Sequence, residues 1–263
     1  MNGAARTAVC GTLFLMLLLF GNNTSSASPL PLPGVSAADR RREVDIDSVP
    51  WRSLGRVQTE LGGRCTGFLV APRVVMTAAH CLFVPRTGHF LQPSSVHVLM
   101  GYRRGVFRAH ARAVRFVIPA AFDPRRENAG ASSDRAALLL DRAVGDGADL
   151  LGEAESGSSP PPTGAAVMLG GYGQDRDELA VADPACHLVG RSTDGGGHPV
   201  LLHDCEATRG TSGAPLLWRA PDGRWRAIGV QIEAVTNGAG GIAAPLDDAA
   251  AISGPGPGRS VDR

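Results

Sequence analysis

Residues Val96-His97-Val98 and Val114-Arg115-Phe116-Val117 place apolar and polar side chains on alternate positions, the period of a strand with one buried face. Short runs with strand character, several of them alternating in this way, recur along most of the chain, separated by Gly, Pro, Asn, Asp and Ser. They predict strands over 54–60, 66–70, 74–77, 96–102, 112–118 and 136–140, then over 165–170, 186–190, 200–204, 215–219, 225–233 and 241–245. Twelve short strands with turn signals between them point to an all-β sandwich or barrel architecture. The stretch 144–164 interrupts the series. It is poor in apolar residues and holds Pro160-Pro161-Pro162, so it reads as a linker between two six-strand units, 46–143 and 165–252.

The two ends of the chain carry a different pattern. Arg6 precedes an uncharged apolar run from Ala8 to Phe20, and Ser25-Ser26-Ala27 follows with the small residues of a cleavage site. That run falls short of the roughly 20 apolar residues that span a bilayer. Residues 1–27 therefore read as a secretory signal peptide, which leaves no stable membrane anchor after its removal and makes the mature chain secreted or periplasmic. The segment 28–45 is rich in Pro, Ser and Ala and is expected to be a disordered N-terminal or pro-segment. Its cluster Arg40-Arg41-Arg42 reads either as a processing site or as a solvated charge run. Residues 253–263 are rich in Gly and Pro and are expected to form a flexible tail.

Composition narrows the function classes. With 26 basic and 25 acidic side chains the net charge is +1, which lacks the clustered positive field that nucleic acid or an anionic membrane would require. Cys10 lies in the leader. Four cysteines remain in the mature chain, Cys65, Cys81, Cys186 and Cys205, an even number that in an exported protein suggests two disulfides with three pairings open. There is no HExxH, HxxxH or CxxC pattern, so neither a metal nor a cofactor is expected.

The candidate chemistry lies in three segments: Thr77-Ala78-Ala79-His80-Cys81, Asp134-Arg135-Ala136-Ala137-Leu138, and Gly210-Thr211-Ser212-Gly213-Ala214-Pro215. A serine hydroxyl becomes a nucleophile when a base takes its proton, and imidazole suits that task near neutral pH. The motifs, their order His, Asp, Ser and the intervening Gly171-Tyr172-Gly173 resemble the trypsin/chymotrypsin-like serine peptidases, in particular bacterial secreted members. The similar segments run from about Trp51 to about Leu246. The resemblance implies an all-β fold of two six-stranded antiparallel β-barrels with the active site in the crevice between them. It further implies Ser212 as nucleophile, His80 as general base, Asp134 as the group that orients it, and the N–H groups of Gly210 and Ser212 as an oxyanion hole. Asp123 and Asp141 compete for the aspartate role, and the Asp-x-Ala-x-Leu context favours Asp134. The remaining histidines are expected to be non-catalytic.

From the same resemblance come the pairing Cys65–Cys81 and, with it, Cys186–Cys205, a polypeptide substrate and a chain acting as a monomer. A binding protein that has lost activity, or an esterase using the same triad, are the alternative functions. Two departures from the family stand out. Thr211 occupies the place of the aspartate that anchors a newly cut N-terminus in trypsin-like zymogens, so chains beginning anywhere from Ser28 to Arg42 are expected to be equally active. In the region of the primary pocket, Glu206 stands six residues before the serine, where an aspartate would select basic side chains, and Gln231 stands where glutamate-selective relatives carry a histidine. The expectation is a preference for basic residues through Glu206, with pairing of Glu206 to Arg209 in solvent as the bland alternative.

Overall fold

The computed structural model describes Met1 and residues 32–126, 129–147, 149–153, 161–246 and 259–261, so the expected leader lies outside the described residues. The described residues from 32 to 261 belong to one compact unit. Its first six main strands are β1 (Leu54–Thr59), β2 (Arg64–Ala71), β3 (Val74–Thr77), β4 (Val96–Met100), β5 (Ala109–Ile118) and β6 (Ala136–Leu140). They pair antiparallel in the cyclic order β1-β2-β3-β6-β5-β4, with β4 returning to β1 and closing the barrel. The second six are β7 (Ala166–Gly171), β8 (Val181–Thr193), β9 (Pro199–His203), β10 (Pro215–Arg219), β11 (Trp225–Ala234) and β12 (Gly241–Pro245). Their order, β7-β8-β9-β12-β11-β10 and back to β7, repeats the first barrel strand for strand. The expected pair of six-stranded antiparallel barrels is therefore present.

Alternation explains how each barrel fills. Along β4 the residues Val96, Val98 and Met100 are buried while His97 and Leu99 are only half-buried. Val57, Leu69, Phe116 and Leu138 join them inside the first barrel, and Val167, Leu188, Leu201 and Leu216 fill the second. A third cluster forms the seam: Leu54, Phe68 and Met76 from one barrel pack with Tyr172, Leu217 and Val230 from the other. The seam has the same apolar character as the barrel interiors, so it holds the two barrels, and the crevice above it, in one fixed relation.

The largest departure from the expected strands is β8, eight residues longer than the stretch 186–190. Val167 faces Cys186 while Leu169 faces Asp183, which leaves an extra residue on β8 and marks a bulge. Pro184 sits in that bulge, one of the few places where a strand tolerates proline. The reading of 28–45 as disordered also needs correction, because residues 33–45 form a strap on the second barrel. Gly34 N donates to Val235 O at 2.7 Å, Ala207 N donates to Gly34 O at 2.9 Å, and Arg42 and Glu43 pair with β8. Arg41 is buried and bonded to Asp39 at 2.9 Å and Asp175 at 2.8 Å, so it is not part of a solvated charge run. What orders the strap is polar partners far away in sequence, which its low hydrophobicity could not reveal.

The expected linker is likewise anchored at its start: Val144 and Leu151 are buried, and Gly152–Glu153 runs parallel to β11. Residues 154–160 lie outside the described residues. At the C-terminus Arg259–Val261 pairs with β5, and the rest of the expected tail lies outside the described residues.

Candidate active site

β3 ends at Thr77, and a single 3-10 turn, Ala79–Leu82, carries His80 out at the mouth of the first barrel. The disulfide Cys65–Cys81 ties that turn to β2. Asp134 follows another 3-10 turn, Ala131–Ser133, and precedes β6. Its carboxylate grips His80 twice: Oδ1 accepts from the His80 backbone N at 2.8 Å, and Oδ2 lies 2.6 Å from Nδ1. An acidic partner at Nδ1 puts the proton there, so Nε2 presents its lone pair outward. Burial disfavours the charged ring, but the hydrogen bond and charge of Asp134 outweigh it and hold the His80 pKa above 6.5. The two competing aspartates lie elsewhere: Asp123 accepts from Arg125 N, and Asp141 pairs with Arg142. Of the three, Asp134 is the partner of His80.

Ser212 comes from the loop between β9 and β10 of the second barrel. Two glycines shape this loop, with φ of +91° at Gly210 and +87° at Gly213. A Cβ at Gly210 would lie 2.5 Å from Tyr172 O, and one at Gly213 would lie 2.1 Å from Thr66 O, so only glycine fits either place. Gly213 thus backs directly onto Thr66 of β2 and onto Thr77 and Ala78, which lead to His80. Thr66 is the joint between barrels: its N donates to Ser212 O at 2.8 Å and its Oγ1 donates to Gly210 O at 3.0 Å. The amides of the loop divide into two sets. Thr211 N and Gly213 N are bonded to Thr208 O and Gln231 O, whereas Gly210 N and Ser212 N bond to nothing among the described residues. Those two free donors are the pair an oxyanion hole requires. Ser212 Oγ makes no hydrogen bond to His80 here; such contacts commonly close only around a bound substrate.

The expected role of Glu206 is not what the structure shows. Its carboxylate accepts from Ser36 Oγ and, at 2.5 Å, from Arg40 N, and its own N donates to Asp183 at 3.0 Å. Arg40 reaches Asp183 at 2.7 Å and Glu206 at 3.9 Å. Glu206 is buried under the strap and neither lines a cavity beside Ser212 nor pairs with Arg209. Gln231 does line that cavity, together with Pro33, Thr208, Arg209, Ser212, Ile232 and Glu233. The disulfide Cys186–Cys205 braces the chain just before Glu206. Both bridges thus match the expected pairing. The His/Cys and Asp/Cys clusters around them have their sulfurs committed to disulfides, which removes the thiolates a metal would bind.

Three positions escaped the sequence reading. Thr66 gave no signal, since one threonine in a strand resembles any other. Asp194, in the β8–β9 turn, accepts from both N and Oγ of Ser132 at 3.1 and 2.8 Å, so a second-barrel loop fixes the turn that delivers Asp134. Burial pushes the Asp194 pKa up, but hydrogen bonds from His198 N, Ser132 and Gly196 N hold it down to about 2. The third is His203, placed beside a loop by its sequence but buried at the end of β9. Its position two residues after the inward-facing Leu201 was the available clue.

Comparison with known proteins bears on the family and the fold. A family model described as a trypsin-like peptidase domain matches residues 65–230. A glutamyl endopeptidase of Bacillus licheniformis is 25% identical over 144 residues, spanning 54% of this chain but only 42% of that protein. A solved glutamyl endopeptidase structure, in complex with MPD, superposes with a TM-score of 0.66 at 20% identity, covering 83% of this chain and 97% of that one.

Proposed function

Because the chain belongs to the trypsin-like peptidase family, and so is a serine peptidase, we propose that it is an exported endopeptidase that cuts polypeptides through an acyl-enzyme on Ser212. The Ser212 hydroxyl attacks the scissile carbonyl carbon while His80 Nε2 takes its proton. The carbonyl oxygen gains the negative charge and is met by the N–H groups of Gly210 and Ser212. His80 then passes its proton to the departing amine, and water repeats the cycle to release the acid. Asp134 keeps the imidazole in the working tautomer and stabilises its charged form. The observation that carries this reading is the pair of hydrogen bonds that Asp134 accepts from His80, made beside a serine loop with two amides unpaired among the described residues. Export is supported by the leader pattern and by two disulfides, which persist in oxidising compartments. The chain is expected to act as a monomer without a cofactor.

Turnover of a peptide substrate by Ser212→Ala, His80→Ala and the double variant tests the triad as a unit. Each single change should remove nearly all activity, and the double variant should be barely worse than either single one. Single losses that multiply in the double variant would show that the two residues act separately.

A further inference from the structure

The cavity beside Ser212 has a volume of about 350 Å³, and a chain of hydrogen bonds with a fixed direction leads into its lining at Gln231. Cys205 N donates to His203 Nδ1 at 3.2 Å, which makes Nδ1 the acceptor nitrogen of the ring. His203 Nε2 must then carry the proton, and it lies 2.6 Å from Gln231 Oε1. The other end of the Gln231 amide donates one N–H to Glu233 O at 2.9 Å. A backbone carbonyl can only accept, so both ends of the amide are fixed and the second N–H has no partner among the described residues. Burial drives the His203 pKa down to about 4 against the hydrogen bond to Gln231, which agrees with a neutral ring. A Cβ at Gly241 would approach Gln231 Nε2 to 2.8 Å and His203 Cε1 to 3.0 Å, so glycine there keeps the pair undisturbed.

The charges around the cavity complete the reading. Arg209 and Glu233 are both exposed and of opposite sign. Among the described residues that line the cavity Glu233 is the one carboxylate, and Glu206, outside the lining, is engaged by Ser36 and Arg40. A basic side chain would find no buried counter-charge here, and a carboxylate would find only neutral donors among the buried lining residues, since Arg209 is exposed and opposed by Glu233 in the same lining. A carboxamide fits both requirements: its oxygen accepts from Gln231, and its N–H₂ can donate to the hydroxyl of Thr208, a residue of the same lining.

We propose that this cavity holds the substrate side chain on the acyl side of the scissile bond and selects an uncharged hydrogen-bond acceptor, glutamine foremost. Gln231 is the specificity-determining residue, and His203 is the positioning residue that aims its amide. This rests on Ser212 as the nucleophile.

The test measures kcat/KM of the mature, disulfide-bonded protein on peptides that differ only at that side chain: Gln, Glu, Leu and Arg. The wild type should favour Gln by about tenfold or more, because a site built to hydrogen-bond a substrate group rejects analogues that leave it unpaired. Gln231→Leu should lower the Gln-to-Leu ratio by about tenfold. His203→Phe should lower the same ratio, chiefly through KM for the Gln peptide, and His203→Gln, which restores a donor toward Gln231, should recover most of it. A general loss of packing would reduce all peptides together and leave the ratio unmoved. Ser212-dependent cleavage that favours Glu, Arg or Leu, or a Gln-to-Leu ratio indifferent to Gln231→Leu, overturns this inference alone. Cleavage that survives Ser212→Ala overturns the triad and this inference with it.

Discussion

At the scale of single residues the chemistry depends on one carboxylate and two amides. Asp134 raises the pKa of His80, and His80 works as a base only when neutral. Activity should therefore rise with pH through a midpoint above 6.5. In Asp134→Asn the charge that raises the pKa is gone, so the midpoint of kcat/KM should move to lower pH. Turnover should fall by about 10⁴-fold, the scale for losing this carboxylate. An unmoved midpoint would show that Asp134 does not set the charge of His80. Gly210→Ala places a methyl group against Tyr172 O and disturbs one free donor; kcat should fall by about 10²- to 10³-fold. His203 has a folded pKa of about 4 against an ordinary 6.5, so the unfolded chain takes up a proton first as pH falls. Stability should decline between about pH 6.5 and 4, by about 3 kcal/mol in all, and urea titrations of the wild type and His203→Phe should differ in this slope. His80, Asp134 and Ser212 were legible in the sequence because each stands in a short local motif. Glu206 was misread because its partners Ser36 and Arg40 are some 170 positions away, and no local pattern reports such a contact.

At the scale of elements, strand alternation located all twelve barrel strands, and the main error fell at Pro184, where a bulge rather than a break accommodates the proline. The strap was the element least legible, because its order comes from ion pairs and backbone hydrogen bonds to distant residues and not from apolar periodicity. The anchoring of the strap predicts that starts from Ser28 to Arg42 differ in stability. Chains beginning at or before Pro33 should fold alike. A chain beginning at Arg42 leaves the carboxylates of Asp183 and Glu206 buried without Arg40 and Ser36, a loss of about 3–5 kcal/mol. Thermal unfolding of the two truncations decides this, and equal midpoints would mean that the strap carries no stability. The bridge Cys65–Cys81 joins β2 to the turn bearing His80 across 16 residues. Replacing both cysteines by alanine should cost about 3 kcal/mol on the chain-entropy estimate.

At the scale of the whole molecule, two barrels of identical strand order meet along an apolar seam, and the candidate site exists only where they meet. The first barrel brings His80 and Asp134, and the second brings Ser212 with its free amides. Thr66 and Asp194 are two of the polar ties that cross between them. This division was readable from chain order and the two strand series, whereas the crossing ties were not, since each is one residue without a motif. The central claim is that the halves together activate Ser212, and the most direct measurement is covalent labelling with a fluorophosphonate probe followed by peptide mapping. The wild type should be labelled at Ser212 alone, with the label lost in Ser212→Ala and formed far more slowly in His80→Ala. Absence of label on the folded, disulfide-bonded wild type, or equal labelling in His80→Ala, would contradict an activated serine.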